Sequence, residues 1–597
     1  MIRDLKTAIS KAIKQELKLD IKLADILVEH PENESFGDYT TNIAYKLTKL
    51  SKNIKPDQIA DKICKNLQKQ NNPFIDNVAV VNNFINISIK NEFFITHVLQ
   101  VLKQGGSFGQ SDTLKGKKIM VEFAHPNTHK SFHIGHMRNI ATGESLVRVL
   151  EKNGAKVIRS NYQGDVGMHI AKAIYGLLNT SDLDKQISNL KTLDEKTEFL
   201  AKAYVKGNKD YEEDEKAKKT IKDINYLVYA AAQKYQEKEK GIKPGSTNYL
   251  KFVEGKNVQL TQVYDLWVKT RKWSLDYFDT IYKRVYTHYD RFYFESEGLS
   301  GVDESYKALK KGVLKKSKGA VVFDGDPYGL DTRVFINNLG LPTYEGKELA
   351  LAPKELSEFG HIDKLIHVVA PEHKSFFQTT FKVEELLGVQ KDQQYHLSYG
   401  WVRLKKGKMS SRKGNIVLGE DLIDVAKKQI LKTYPKVEDE VAEIIAVGAV
   451  KYSFLKQGVD KDMAFDFEES ISISGNSGPY LQYTYARCKS VLNKAKIKTL
   501  KLENEKIKIS PEEEKVLKWL SRYPEAVQKA GEQYSPSFIA NFLYELGQRY
   551  NSFYNKHKIL KAKDKKTQTL RLVLTKSVSI ILQNGLYLLG IKAPEKM

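Results

Sequence analysis

Stretches of 3.6-residue hydrophobic period alternate along the chain with short unbroken apolar runs, and their order divides it into blocks. Ile2 to Leu17 carries its apolar residues on one helical stripe. A Phe36-Gly37-Asp38-Tyr39 turn, a helical run to Leu67 and a strand-like stretch from Val78 to Ile89 follow. Gly105 and Gly106 close this block, and a small α+β domain is expected over residues 1–110. Lys118 to Phe123 reads as a buried strand running into a Pro/Asn turn. Beyond Gly135, residues Met137, Ile140, Leu146, Val147 and Leu150 line one face of a helix. Ala155 to Asn161 reads as a second buried strand ending at Gly164-Asp165-Val166-Gly167. Strand, helix and strand at this spacing imply a right-handed parallel crossover, and hence a doubly wound nucleotide-binding sheet.

From about residue 180 to 287 the chain turns Lys- and Glu-rich, which predicts an insertion of solvated helices, with a loop at Gly241 to Lys251 and the charge run Lys209 to Lys216 on the surface. Strand character returns at Tyr289 to Ser296, with Gly319 to Phe323 expected to pair nearby, and again at Lys364 to Ala370 and Leu397 to Leu404. Long amphipathic patterns then dominate, interrupted only at Phe465 to Phe467, and predict an all-α carboxyl-terminal part. The expected architecture is multidomain α/β: the N-terminal α+β domain, a Rossmann-type catalytic domain over 111–425, and an all-α helical bundle over 426–597.

A chain of 597 residues exceeds one ordinary core. Its net charge of +23, with 32 tyrosines and 25 phenylalanines, suits a polyanionic partner with unpaired bases to stack. A lysine-rich proteome would give the same charge, so charge supports RNA without establishing it. Only Cys64 and Cys488 are present, without paired spacing, so neither a disulfide framework nor a zinc site is expected. No run of about 18 apolar residues occurs, and Met1 to Lys6 reads as an acid-containing helix rather than a signal peptide. A soluble cytoplasmic protein is expected, with no membrane partner.

Two stretches carry chemistry. In His133-Ile134-Gly135-His136, two imidazoles bracket the first turn of the predicted helix, where backbone N–H groups and the helix dipole favour phosphate, and Gly135 leaves room for a flat base or ribose. In Gly407-Lys408-Met409-Ser410-Ser411-Arg412-Lys413-Gly414, a glycine-bounded basic loop can fold its cations and serine hydroxyls over a triphosphate. Either alone is weak evidence; together and in this order they are specific.

The pair resembles the HIGH and KMSKS signatures of class I aminoacyl-tRNA synthetases. Val121 to Asn139, Asn161 to Gly167, Gly478 to Arg487 and the terminal Ala593-Pro594-Glu595-Lys596-Met597 narrow the resemblance to the arginyl-tRNA synthetase family. The resemblance implies an arginine–tRNA ligase that takes ATP with Mg²⁺, L-arginine and tRNA(Arg), acts as a monomer and needs no zinc. It implies ATP contacts from His133, Gly135, His136, Lys408, Met409, Ser410, Ser411 and Lys413. Glu122, Asn127, Glu295, Tyr344, Glu348 and Gln378 map to the arginine pocket, and Tyr483, Arg487, Arg549 and Tyr554 to tRNA. The N-terminal module, whose Gly37-Asp38-Tyr39 and Phe84-Ile85-Asn86 also match, would contact the tRNA elbow, and the helical bundle the anticodon. One departure is Ser411, which stands where the general KMSKS pattern has its second lysine; Lys130 matches the lysine thought to compensate. His125 and His129 replace residues that are commonly small or aliphatic, and a structural role is expected for both. Roughly 270 residues separate the two signatures, too few for a separate editing domain. A different class I synthetase or a non-catalytic tRNA-binding paralogue are the competing readings.

Overall fold

The computed structural model describes residues 1–50, 54–70, 72–241, 248–405, 418–496 and 508–597. They form two compact units, one made of Met1–Phe108, Val491–Tyr523 and Gln548–Ile581, the other of Gly109–Ser490, Pro524–Gly547 and Leu582–Met597.

In the first unit, helices Ile2–Leu17 and Pro56–Lys69 pack beside a three-stranded antiparallel sheet of Tyr39–Thr41, Phe84–Ile89 and Ile75–Val81. The stretch expected as one strand from Val78 is therefore a hairpin. Asn82 and Asn83 both take positive φ (50° and 66°), which lets a two-residue turn match the twist of the strands. Asp38, at the sheet's entry, accepts from the Ile89 N–H at 2.7 Å and from Lys518 Nζ at 2.9 Å, while Arg549 pairs with Glu34 at 2.9 Å.

The second unit is built on a five-stranded sheet: β1 (Lys118–Glu122), β2 (Lys156–Gln163), β3 (Arg291–Phe294), β4 (Lys364–Val369) and β5 (Gln394–Ser398), ordered β5-β4-β1-β2-β3 and parallel throughout. Helix α1 (Ile134–Lys152) makes the β1–β2 crossover, and α2 (Met168–Leu178) follows β2. α1 closes on the sheet because Gly143 lies flat against Phe123, where a Cβ would stand 2.3 Å from the ring. The strand order reverses between β1 and β4, so a crevice opens at the carboxyl ends of those two strands.

The helices after α2, which include Leu193–Glu213, Glu215–Lys240 and α3 (Asn257–Arg284), are less solvated than the sequence suggests. Ile221, Val228, Ala230, Ala231, Ala232 and Trp267 are buried with Val166, Ile170 and Ile174 in one apolar cluster, while the charge run Lys209 to Lys216 stays largely at the surface. Ala320–Phe323 does not join the strand at Arg291; it pairs antiparallel with Lys315–Ser317 and Arg333–Ile336 in a separate small sheet. The expected strand from Leu397 to Leu404 is interrupted after β5, and Val402–Leu404 instead pairs parallel with Met463–Phe465. Helix α4 (Tyr344–Ser357) follows the small sheet, and α5 (Lys374–Leu387) links β4 to β5. Beyond Phe465 the described elements are helical, including α6 (Gly478–Ala495) and α7 (Ser537–Lys556).

Candidate active site

The turn after β1 is held open by backbone that few side chains adopt: Ala124, His125 and His129 have φ of 84°, 51° and 64°. It is pinned from three directions. Asn139 Oδ1 accepts from the Ala124 N–H at 2.7 Å, the Thr128 N–H donates to Gly164 O at 2.8 Å, and Ser274 of α3 accepts from the His129 N–H at 3.0 Å. His129 itself is buried between Thr128 and Thr270, with Nε2 2.7 Å from the Thr270 hydroxyl, and burial pushes its pKa down to about 3. These bonds tie the turn to α3. The insertion thus supports the site, which the sequence did not reveal.

His133 is the N-cap of α1. Its Nδ1 accepts from the Gly135 N–H and His136 Nδ1 accepts from the His133 N–H, both at 3.1 Å, and the rings stack at 3.7 Å. An imidazole that accepts through Nδ1 carries its proton on Nε2 when neutral. Burial, with the Lys130 charge second, lowers His133 to about 4, and burial with His133 lowers His136 further. Two neutral N–H donors are therefore offered at a helix N-terminus. Lys130 approaches the Tyr204 ring at 5.6 Å and feels Lys172 and Glu295.

Lys408, Met409, Ser410, Ser411 and Lys413 lie outside the described residues. The described flanks of their segment join the site: His133 bridges to Leu418, the Gly419 N–H donates to Phe132 O at 2.9 Å, and Arg138 of α1 donates to the carbonyls of Gly400, Trp401, Val459 and Lys461.

Of the expected pocket residues, Glu122, Asn127, Glu295 and Glu348 are brought together around the crevice. Gly164 marks the closest approach, since a Cβ there would meet Asn127 Oδ1 at 2.1 Å and Glu295 Oε2 at 3.2 Å. Glu295 is buried, takes the Lys347 ammonium on Oε1 and leaves Oε2 without a partner. Tyr162 of β2 stands among these acids: burial and then the charges of Glu295, Glu348 and Glu122 drive its phenol pKa well up. Burial, with Glu122 and Glu345 nearby, raises Glu348 to about 7. Tyr344 is 56% exposed, and the Glu295 charge raises it to about 12. Gln378 is exposed on α5, whereas its neighbour Phe377 faces His367 at 4.9 Å. His125 Nδ1 comes to 3.9 Å from Glu122, and its Nε2 is buried without a partner.

The sequence did not single out Glu355 or Glu384, which are buried beside this pocket with Lys347 and His367. Glu348 and Glu355, seven apart on α4, give the one legible signal, a repeated acid on one helix face.

Among the tRNA candidates, Tyr483 and Arg487 stack on α6 with the guanidinium 4.9 Å from the ring, and Tyr483 lines a cavity of about 460 Å³ with Tyr434, Val437, Ile445 and Met597. Arg549 lies 4.0 Å over Trp519, and Tyr554 is 37% exposed; both are in the first unit. Tyr480, Tyr485, Tyr550 and Phe553 are core residues. No described helix is long and apolar enough to cross a membrane.

Residues 3–89 match the family described as arginyl tRNA synthetase N terminal domain, 97–467 the class I (R) tRNA synthetase catalytic domain, and 481–597 the DALR anticodon binding domain. An arginine–tRNA ligase of Treponema denticola is 32% identical, covering 96% of this chain and 95% of its own. That of Halothermothrix orenii is 31% identical over the full length of both. Arginyl-tRNA synthetase of Thermus thermophilus shares the fold over 100% of both chains, with a TM-score of 0.77 at 22% identity. The chain belongs to the arginine–tRNA ligases, the arginyl-tRNA synthetase family of class I enzymes.

Proposed function

We propose that this crevice activates L-arginine with ATP and passes it to the terminal ribose of tRNA(Arg), and that the roles divide as follows. The arginine carboxylate attacks the α-phosphorus in line, a P–O bond forms as the bond to the leaving pyrophosphate breaks, and arginyl-adenylate results. A ribose hydroxyl then attacks the adenylate carbonyl, and AMP leaves. No enzyme nucleophile is required; positioning and charge neutralisation supply the catalysis. His133 and His136 donate N–H groups to the phosphates, Lys130 adds a cation, and Lys408 with Ser410, Ser411 and Lys413 holds the pyrophosphate. Mg²⁺ enters with ATP as part of the substrate.

Glu122 and Asn127 hold the α-ammonium end of arginine, and Glu295, Tyr344 and Glu348 face its side chain. A neutral or smaller competitor would leave these acids without partners, so binding alone can discriminate. The observation that carries this reading is the pairing of two neutral imidazoles at the α1 N-terminus with an acid-lined crevice at the sheet's reversal. Residues 1–110 and the C-terminal helices, including Tyr483, Arg487, Arg549 and Tyr554, contact the tRNA, and the enzyme works as a cytoplasmic monomer. ATP–pyrophosphate exchange with each amino acid, with and without tRNA(Arg), tests the reading. Exchange with arginine alone supports it; exchange with another amino acid overturns the pocket assignment.

A further inference from the structure

The switch point between β1 and β4 is occupied by two paired residues that face the same way: Glu122 stands directly across from His367. The His367 ring is buried, with Phe377 at 4.9 Å and Phe381 at 5.7 Å. Its Nδ1 lies 2.8 Å from Glu122 Oε1 and its Nε2 lies 3.0 Å from Gln394 Oε1. Gln394, two residues before the register partner His396 on β5, spends its Nε2 on Glu384 Oε2. Its Oε1 therefore faces the ring and can only accept. A carboxylate on one side and an amide oxygen on the other both call for a donor, which is the arrangement that suits a doubly protonated ring.

We propose that His367 is a positioning residue of the amino-acid pocket: doubly protonated between Glu122 and Gln394, it keeps the Glu122 carboxylate charged and aimed for the substrate's α-ammonium. The assignment rests on the reading of the pocket given above.

The surroundings make this necessary. Glu122 shares a hydrogen bond with Glu355 and faces His125; Glu348 and Glu355 reach in from α4, Glu384 from α5, and His396 from β5. Four buried carboxyl groups thus surround a ring that is the nearest cation. Burial and the neighbouring carboxylates push Glu355 and Glu384 well above the usual carboxylate range, whereas His367 holds Glu122 below it despite its burial. Without that cation the same burial would protonate Glu122, which would then offer the substrate's ammonium a neutral carbonyl oxygen in place of a charged acceptor.

The test is arginine-dependent pyrophosphate exchange by His367→Gln in the full chain with tRNA(Arg), across pH. Glutamine retains a donor toward Glu122 but no charge. At about pH 6 the KM for arginine should rise about tenfold, return to within about twofold of wild type by about pH 8.5, and leave kcat at saturating arginine unchanged. A rise of the same size at every pH, or a fall in kcat at constant KM, overturns the assignment. Nitrogen-15 spectra of histidine-labelled wild type at about pH 8 should show His367 with two ring N–H groups, and a singly protonated ring overturns the proposal. That spectrum requires no turnover, so an enzyme that failed to use arginine would defeat the functional reading while the state of His367 was still decided.

Discussion

Lys347 donates its ammonium to the Glu295 carboxylate, and both side chains are almost wholly shielded from water, at 4% and 1% exposure. The pair leaves Glu295 Oε2 without a hydrogen-bond partner beside Asn127, and burial raises the Glu295 pKa against the opposing Lys347 charge. Removing one partner of a buried pair strands the other, which costs about 3–5 kcal/mol. Lys347→Met should lose that much stability in urea unfolding. Glu295→Gln, which keeps the shape, should raise the KM for arginine about 10²-fold and leave the KM for ATP alone, because a charge-assisted hydrogen bond to the substrate is lost.

The buried acids also make stability depend on pH. Glu355, Glu384 and Glu348 are all raised, by burial first and then by neighbouring carboxylates. A carboxyl whose folded pKa exceeds its unfolded value contributes stability that is complete below the unfolded range and is lost as pH rises through the folded value. For Glu348 that window runs from 4.5 to about 7. His367, raised by Glu122, acts in the same direction above its ordinary 6.5, and lowered Glu122 acts only on the acid side. The depressed histidines His129, His133 and His136 act the other way up to 6.5, so the carboxyl contribution is read by difference: the melting temperature of wild type relative to Glu384→Gln, a mimic of the neutral acid, should fall between about pH 5 and about pH 8.

Gly164 offers a steric test of the pocket. Its missing side chain lets Asn127 Oδ1 sit where a Cβ would come within 2.1 Å, so Gly164→Ala must push Asn127 or the turn aside. Overpacking of this kind costs about 1–3 kcal/mol. The displacement falls on the arginine side, so a raised KM for arginine with a nearly normal KM for ATP is expected in exchange kinetics.

Arg138 carries a buried charge with four carbonyl acceptors, two from Gly400 and Trp401 and two from Val459 and Lys461, at 2.7 to 3.1 Å. It ties the first turns of the His133 helix to the strand at Val402. Lysine keeps the charge, but its three donors on a single nitrogen cannot span this planar fork. Arg138→Lys should destabilise the enzyme by about 2–4 kcal/mol, with faster hydrogen exchange at 400–404 and 459–463.

The β1, turn and α1 block was legible because its signals are local: an apolar strand, Pro126 and Asn127 in the turn, and a histidine that caps the helix it opens. The second strand was legible from its own apolar run, and the crossover rule made the pairing parallel. The hairpin was missed because apolar runs flank Asn82 and Asn83 closely on both sides, and hydrophobic period does not carry the positive φ that makes the pair a turn. The insertion read as solvated because its lysines and glutamates outnumber the stripe of Ile221, Val228 and Trp267 that it buries. Glu355 and Glu384 were illegible for the opposite reason. A charged residue on a helix is by default a surface residue, and only the packing of α4 and α5 on the sheet makes these interior. His367 sits in an apolar strand, where nothing local announces that Glu122 lies across from it.

Lys130 bears on how adenylation proceeds with Ser411 in place of the usual second lysine. It stands three residues before His133, partly buried, with its charge felt by His133, His136 and Glu295. A cation that acts on charge developing in the transition state lowers kcat when removed and leaves ground-state binding largely intact. Lys130→Ala should therefore reduce exchange turnover about 10²- to 10³-fold while the KM for ATP changes by no more than about threefold. Burial, then Lys172, depresses the Lys130 pKa, so the ammonium is lost earlier than an ordinary lysine's as pH rises. Wild-type turnover should accordingly decline on the alkaline side, and Lys130→Arg, charged throughout, should lose that decline while retaining part of the rate. Unchanged turnover in Lys130→Ala would leave the compensating charge to Lys413 or Arg412.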